Sequence, residues 1–264
     1  MTITNEDSWG LVSIITPTYN CGRFIAETIE SVLAQSYQDW ELIISDDCST
    51  DDTVEVIRPY LERDARIRYI CNERNSGAAV TRNAALREAK GRWIAFLDSD
   101  DLWRPAKLEH QLRFMVENGY DFSYTQYSEC DENGILKPGV ISGPKHVSRY
   151  GMMAYCWPGC LTVMYNRDKV GLIQIADIKK NNDYAMWLKV CRKADCHLLP
   201  QILATYRRGR SGSISNLSIK NLIKWHYKLF REAEGYNPVT SSLLTLQNLA
   251  CGFYKKLRYV RYTR

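Results

Sequence analysis

The sequence predicts an α/β protein with a mostly parallel central sheet and helices on both faces. Two observations carry this. Short apolar runs rich in Val, Ile, Leu and Trp alternate with stretches whose apolar residues recur at helical spacing. Each run also ends in a polar loop, and in such a sheet those loops share one edge. In order, residues 11–15 read as the first strand and 16–20 as its loop. A helix follows, with Phe24, Ile25, Thr28, Ile29, Val32 and Leu33 on its buried side. Residues 40–44 are the second strand. It runs into an acidic loop where Ser49 and Asp52 read as a capping pair for a helix bearing Val54, Ile57 and Leu61. Residues 67–71 form a third strand, 75–77 a turn, 79–89 a helix, and 93–97 a fourth strand between Gly91 and Pro105.

Beyond a helix at 107–118 the pattern changes. Residues 121–128 alternate as a strand, 131–134 make a hairpin turn, and 159–166 read as a further strand. A helix opens at Asn182, a strand spans 196–206, and a basic Gly/Ser loop spans 207–215. Helices follow at about 219–234 and 241–259. This organisation divides the chain into a domain over 1–215 and a basic helical C-terminal extension over 216–264. Within the domain the pattern divides it into halves over about 10–105 and 106–215.

With 264 residues, 45% hydrophobic and 25% charged, the chain can bury a sizeable core. No apolar stretch reaches transmembrane length and the N-terminus is polar, so a cytoplasmic protein is expected. Nine cysteines without a Cys-x-x-Cys pair read as reduced thiols. The net charge of +5 is unevenly spread. Residues 205–264 carry +10, leaving −5 on the rest, which points to an anionic partner.

The chemistry concentrates in Asp98-Ser99-Asp100-Asp101, directly after the fourth strand. Carboxylates crowded there repel unless a cation joins them, and Mg²⁺ or Mn²⁺ suits an all-oxygen set that also meets a phosphate. Loops at 17–20, 46–49 and 98–101 converge on the same crevice. Neither a Gly-x-Gly-x-x-Gly turn nor a Gly-Lys-Ser/Thr loop is present, which argues against dinucleotide dehydrogenases and P-loop enzymes.

Five segments then resemble, in order, the family-two glycosyltransferases of GT-A fold. They are Thr16-Pro17-Thr18-Tyr19-Asn20, Asp46-Asp47-Cys48-Ser49-Thr50-Asp51, Gly77 with Thr81-Arg82-Asn83, Asp98-Ser99-Asp100-Asp101, and Asn182-Asp183-Tyr184-Ala185-Met186-Trp187. The resemblance covers about residues 10–215 and implies a nucleotide-binding half over about 10–105 and an acceptor-binding half over 106–215. It implies that Tyr19 stacks on uracil, that Pro17 lines the base pocket, and that Asp47 accepts the uracil N3–H. It further implies that Asp100 binds the ribose hydroxyls, that Asp101 holds the metal with Asp98 beside it, and that Arg82 reaches the diphosphate or base edge. Asp183 is implied as general base, although an Asp at a helix start also serves as a cap. The family often has Glu before this Asp, and here Asn182 stands there. In the basic loop, Arg207 or Arg210 is expected to close over the diphosphate and neutralise the leaving group. Trp157 reads either as a sugar-stacking platform or as a core residue.

The implied reaction is metal-dependent, inverting transfer of a hexose or N-acetylhexosamine from a UDP-sugar. A dTDP donor shares the same base edge. The implied acceptor is a saccharide, lipid-diphosphate-linked, in O-antigen or capsule assembly. Residues 252–264 mix bases with aromatics and suggest a helix on an anionic membrane surface, making the enzyme peripheral to the inner face of the cytoplasmic membrane. No nucleic-acid-reading motif is present. Competing functions are a sugar-nucleotide nucleotidyltransferase, which wants a basic Gly-rich loop after the first strand, and a nucleotide-sugar-binding module without turnover.

Overall fold

The structure is a computed structural model, described here over residues 9–209 and 218–261. Its first half is the expected alternation: Val12–Thr18 (β1), Gly22–Leu33 (α1), Trp40–Asp46 (β2), Thr53–Arg63 (α2), Ile67–Cys71 (β3), Ala78–Glu88 (α3) and Trp93–Phe96 (β4). The chain continues through Leu102–Trp103 (β5), Lys107–Asn118 (α4), Phe122–Cys130 (β6), Leu136–Ile141 (β7), His146–Val147 (β8) and Arg149–Ala154 (α5). Next come Met164–Asn166 (β9), Arg167–Val170 (α6), Asn182–Val190 (α7) and Cys196–Arg207 (β10). Ile219–Lys228 (α8), Pro238–Arg258 (α9) and Val260–Arg261 (β11) end it.

Every residue of β1, β2 and β4 is buried, which is why these strands read as unbroken apolar runs. Their side chains alternate between two cores. Ile14, Leu42 and Ile44 pack with Ile25 and Ile29 of α1 and Leu108 and Leu112 of α4. Ile15, Ile43 and Phe96 pack with Leu86 of α3 and Trp187 of α7. The sheet runs β3-β2-β1-β4-β9-β6-β7-β11, with β10 parallel to β6. Both β4 and β6 are antiparallel to β9 and hence parallel to each other. The carboxyl ends of β1, β2, β3, β4, β6 and β10 therefore open on one edge.

Three expectations need correction. Residues 16–18 continue β1 rather than leaving it as a loop. Pro17 is tolerated because odd-numbered residues of β1 face β4, as the Leu97 N–H donating to the Ile15 carbonyl shows, and β4 has ended by that point. Residues 159–166 are not one strand: a 3₁₀ turn at Cys160–Thr162 precedes the short β9. Ser49 and Asp52 do not form the capping pair. Ser49 Oγ donates to Asp46 Oδ1 at 2.6 Å, and the Thr53 N–H goes to Asp51 Oδ1 at 3.1 Å. None of the nine cysteines is in a disulfide.

The C-terminal helices pack onto the sheet domain. A π turn at Leu229–Ala233 drives Leu229 and Phe230 fully into the core beside Tyr184. Asn248 of α9 donates to the Tyr184 hydroxyl at 2.9 Å, and that hydroxyl donates to the Met152 carbonyl at 2.8 Å. The helix expected over about 241–259 is α9. α9 ends at Arg258, β11 pairs with β7, and Lys255 is buried with Nζ donating to the Trp157 carbonyl at 2.7 Å. Residues 262–264 lie outside the described residues. Among those described, no helix is long and apolar enough to cross a membrane.

His226 of α8 faces the start of α7. Its Nδ1 accepts from Asn181 at 3.3 Å, its ring meets Tyr184 edge-on, and burial lowers its pKa to about 4. The native state then keeps this imidazole neutral while the unfolded chain protonates it below about 6.5. Its contribution is complete above pH 6.5 and is lost as pH falls towards 4. Urea unfolding at pH 7 and pH 4.5 should show about 2–3 kcal/mol more loss in the wild type than in His226→Gln.

Candidate active site

The shared edge gathers the expected loops, held open by left-handed turns. Among the described non-glycine residues, positive φ occurs at Asn20 and Cys48, in two of these loops, and at Asn181, directly before α7. Asn20 Oδ1 accepts the Thr50 N–H at 2.8 Å, which ties the end of β1 to the loop after β2. Asp47 is nearly buried. Its Oδ1 accepts from Asn72 and the Ser76 N–H, each at 2.8 Å, and its Oδ2 accepts from the Gly77 N–H at 2.7 Å. Gly77 sits at φ +88° as the residue before α3, where a side chain would be strained. Asp47 thus fixes where α3 begins. Tyr19 is 45% exposed at the mouth of this edge, while Pro17 is buried in β1.

Three consecutive polar residues of α3 reach three different parts of the chain. Thr81 Oγ1 accepts from Asn72. Asn83 exchanges two hydrogen bonds with the Ile175 backbone. Arg82 bonds Asp98 Oδ1 at 2.5 Å and Asn182 Oδ1 at 2.8 Å. Burial would weaken the charge on Arg82, but Asp98 and Asp183 outweigh that and hold it protonated. Arg82 thus ties Asp98 to the start of α7. Asn182, where the family often has Glu, serves as the acceptor for Arg82.

Asp98, Asp101 and Asp183 line one pocket of about 290 Å³, together with Tyr127, Cys160 and Arg208. Asp47 does not line it; it lies behind, one helix turn before Arg82. Asp101 is 1% exposed. Its N–H donates to the Asp98 carbonyl, and its Oδ1 accepts the Arg207 N–H at 2.9 Å. Burial raises its pKa well above the ordinary carboxylate value, and the charges of Asp100 and Asp98 push it further. Its Oδ2 is buried and has no hydrogen-bond partner among the described residues. An unpaired carboxylate oxygen among further carboxylates fits a hard divalent cation. No three carboxylate, His or Cys groups among the described residues form a ready-made cage. An ion shared with a diphosphate needs only one or two protein ligands. Asp183 is half-buried in the first turn of α7. Burial raises its pKa, Arg82 opposes that, and Asp98 adds to it, so its carboxylate is a stronger base than a solvated one.

Two expected ligands are placed elsewhere. Trp157 is buried, donates to the Gly151 carbonyl at 3.0 Å, and packs edge-on against Tyr155 and Tyr259, so it belongs to the core. Arg207 points away from the pocket. Its guanidinium bonds the Asp100 carbonyl at 3.0 Å, the Glu132 carbonyl at 3.1 Å and Glu27 at 2.7 Å, and so clamps the Asp98–Asp101 turn from behind. Side chains alternate along β10, so Tyr206 and Arg208 face the pocket instead. Arg208 pairs with Glu129, the partner of Tyr206 in the β6–β10 register. Arg210 lies outside the described residues. The signal for Arg208 was in the sequence, in the two-residue period of the strand that precedes it.

Residues 13–159 match the family described as Glycosyl transferase family 2. This chain belongs to that family. The glycosyltransferase is 44% identical over 207 residues to the putative teichuronic acid biosynthesis glycosyltransferase TuaG of Bacillus subtilis (strain 168), covering 78% of this chain and 82% of that one. It is 42% identical over 214 residues to the Escherichia coli UDP-Glc:alpha-D-GlcNAc-diphosphoundecaprenol beta-1,3-glucosyltransferase WfaP, covering 81% and 83%. Its fold superposes on S. aureus TarS 1–349 in complex with UDP-GlcNAc with a TM-score of 0.70 at 20% identity, covering 92% of this chain and 72% of that one. The fold is GT-A, and the enzyme class is glycosyl transfer rather than nucleotidyl transfer or binding alone.

The two arginines should separate experimentally. Arg207→Ala removes three hydrogen bonds from a buried charge and should cost about 2–4 kcal/mol in urea unfolding. Arg208→Ala, at an exposed pair, should stay within about 0.5 kcal/mol of wild type.

Proposed function

We propose that the glycosyltransferase transfers a hexose or N-acetylhexosamine from a UDP-sugar to a hydroxyl of a lipid-diphosphate-linked saccharide, with inversion, during cell-surface polysaccharide assembly at the cytoplasmic face of the membrane. The observation that carries this reading is the pocket itself. Asp98 and Asp101 on one side and Asp183 on the other meet around a single space although more than 80 residues separate them. Support for the donor comes from the GT-A fold shared with TarS, whose complex holds UDP-GlcNAc. Support for the acceptor comes from WfaP, named for a diphosphoundecaprenol-linked sugar.

In this reading the uracil lies on the exposed ring of Tyr19, beside Pro17 and over the Asp47 loop, and the ribose hydroxyls meet Asp100. Asp101 Oδ2, with Asp98 beside it, would hold Mn²⁺ or Mg²⁺, which when bound neutralises the diphosphate and the charge that develops as it leaves. A mannosyltransferase of similar fold, TM-score 0.63, has been solved with GDP-Man and Mn²⁺. Arg208 stands where it can turn from Glu129 to the departing phosphate. Asp183 takes the proton of the acceptor hydroxyl as its oxygen attacks the anomeric carbon from the face opposite the leaving group. Arg82, held protonated beside Asp98 and Asp183, opposes the rise in the proton affinity of Asp183.

Asp183→Asn should lower the transfer rate by roughly 10²–10⁴-fold while UDP affinity, read by calorimetry, stays within about threefold. Near-normal turnover would remove Asp183 from the role of base. Excess chelator should abolish UDP release from a UDP-sugar panel, and Mn²⁺ or Mg²⁺ should restore it. Full activity in chelator would exclude the metal.

A further inference from the structure

The helical layer at the end of the chain carries a surface that the transfer chemistry leaves unused. Along α9, Val239, Leu243, Leu246, Phe253 and Leu257 are each between 62% and 71% exposed. With the exposed Ala250 between them they recur four and three residues apart, which places them in one stripe. α8 widens the surface through exposed Ile219 and Ile223, one turn apart. Ile223 and Leu246 share a groove of about 510 Å³ with Tyr227 and Thr245. A continuous apolar surface of this length marks an interaction site.

Charge decides what covers it. Residues 235–264 contain no Asp or Glu. Lys256 and Arg258 are exposed beside the stripe, and Lys220 and Lys224 are exposed on α8, while Lys228 is already paired with Glu232. A second copy of the chain would set these bases against one another. An anionic bilayer complements both the apolar stripe and its basic margin. We propose that the α8–α9 face lies on an anionic lipid surface, with the stripe at the boundary of headgroups and acyl chains. The opposite side of α9 holds the sheet domain: Lys255 grips the Trp157 carbonyl, and Gly252 lies so close to the Tyr155 ring that a Cβ there would stand 3.0 Å away. Trp157 leads directly to Gly159 and Cys160 in the pocket wall. Seated this way, α9, about 10–12 Å across, stands between the lipid and the Tyr155–Trp157 segment that leads to the pocket wall. The proposal goes beyond the transfer reading, and the binding it predicts is measured without turnover, so either can fail alone.

The test is co-sedimentation of the full chain with phosphatidylcholine vesicles and with mixed phosphatidylcholine–phosphatidylglycerol vesicles at low and high salt. The wild type should partition onto the anionic vesicles at least about tenfold more strongly, and salt should reduce this. Phe253→Ser/Leu257→Ser should lower the partition about tenfold or more, with UDP affinity and circular dichroism unchanged. Lys256→Glu/Arg258→Glu should remove the preference for anionic lipid. Failure of the wild type to bind anionic vesicles would overturn the proposal. So would unchanged binding by the Phe253/Leu257 variant, or a solution dimer that the same variant makes monomeric.

Discussion

The architecture of the site depends on one buried guanidinium. Arg82 leaves α3 and bridges Asp98, at the end of β4, to Asn182, at the start of α7. A buried charge of this kind is tolerated only when paired and hydrogen-bonded, and both conditions are met here. The consequence is geometric as well as electrostatic. The Asp98–Asp101 turn and the helix that carries Asp183 are tied to each other through a single side chain. The same positive charge holds together a cluster of carboxylates that would otherwise repel.

Two further clamps keep that arrangement from relaxing. Arg207 closes the Asp98–Asp101 turn from the rear through the backbone of Asp100 and Asp101. On the far side, the helices α8 and α9 hold α7 through Asn248, Tyr184, His226 and Asn181. The C-terminal layer is thus structurally continuous with α7, although its outer face has a different chemistry from its inner one. Its inner face supplies Leu229, Phe230 and Lys255 to the core, while its outer face keeps the apolar stripe and the bases.

Much of this was legible in the sequence. Strands β1, β2 and β4 are buried by helices packed on both faces of the sheet, so their apolar runs stand out. Their acidic ends mark the site edge for the same reason. Short pieces such as β5, β8 and β11 were not legible, because two-residue strands exist only through partners remote in the chain. Residues 159–166 misled because burial, not strand geometry, makes them apolar. Gly159 and the Thr162 hydroxyl, which donates to the Gly159 carbonyl, turn the chain there. Arg207 or Arg210, and not Arg208, was expected at the pocket because composition gives the charge of a loop but not the phase of the strand that enters it. Trp157 shows the reverse problem: a tryptophan beside Pro and Gly looks like a platform until the helix that covers it, α9, is in place.

The central claim is that the pocket between Asp101 and Asp183 is where a metal-bound nucleotide diphosphate sits. Crystals grown with UDP and Mn²⁺, measured at a wavelength where manganese scatters anomalously, test it most directly. The account predicts one anomalous peak at coordination distance, about 2.0–2.3 Å, from a carboxylate oxygen of the Asp98–Asp101 turn, bridged to the diphosphate and facing Asp183. UDP bound with its diphosphate outside that pocket, or manganese bound to other carboxylates, would contradict it.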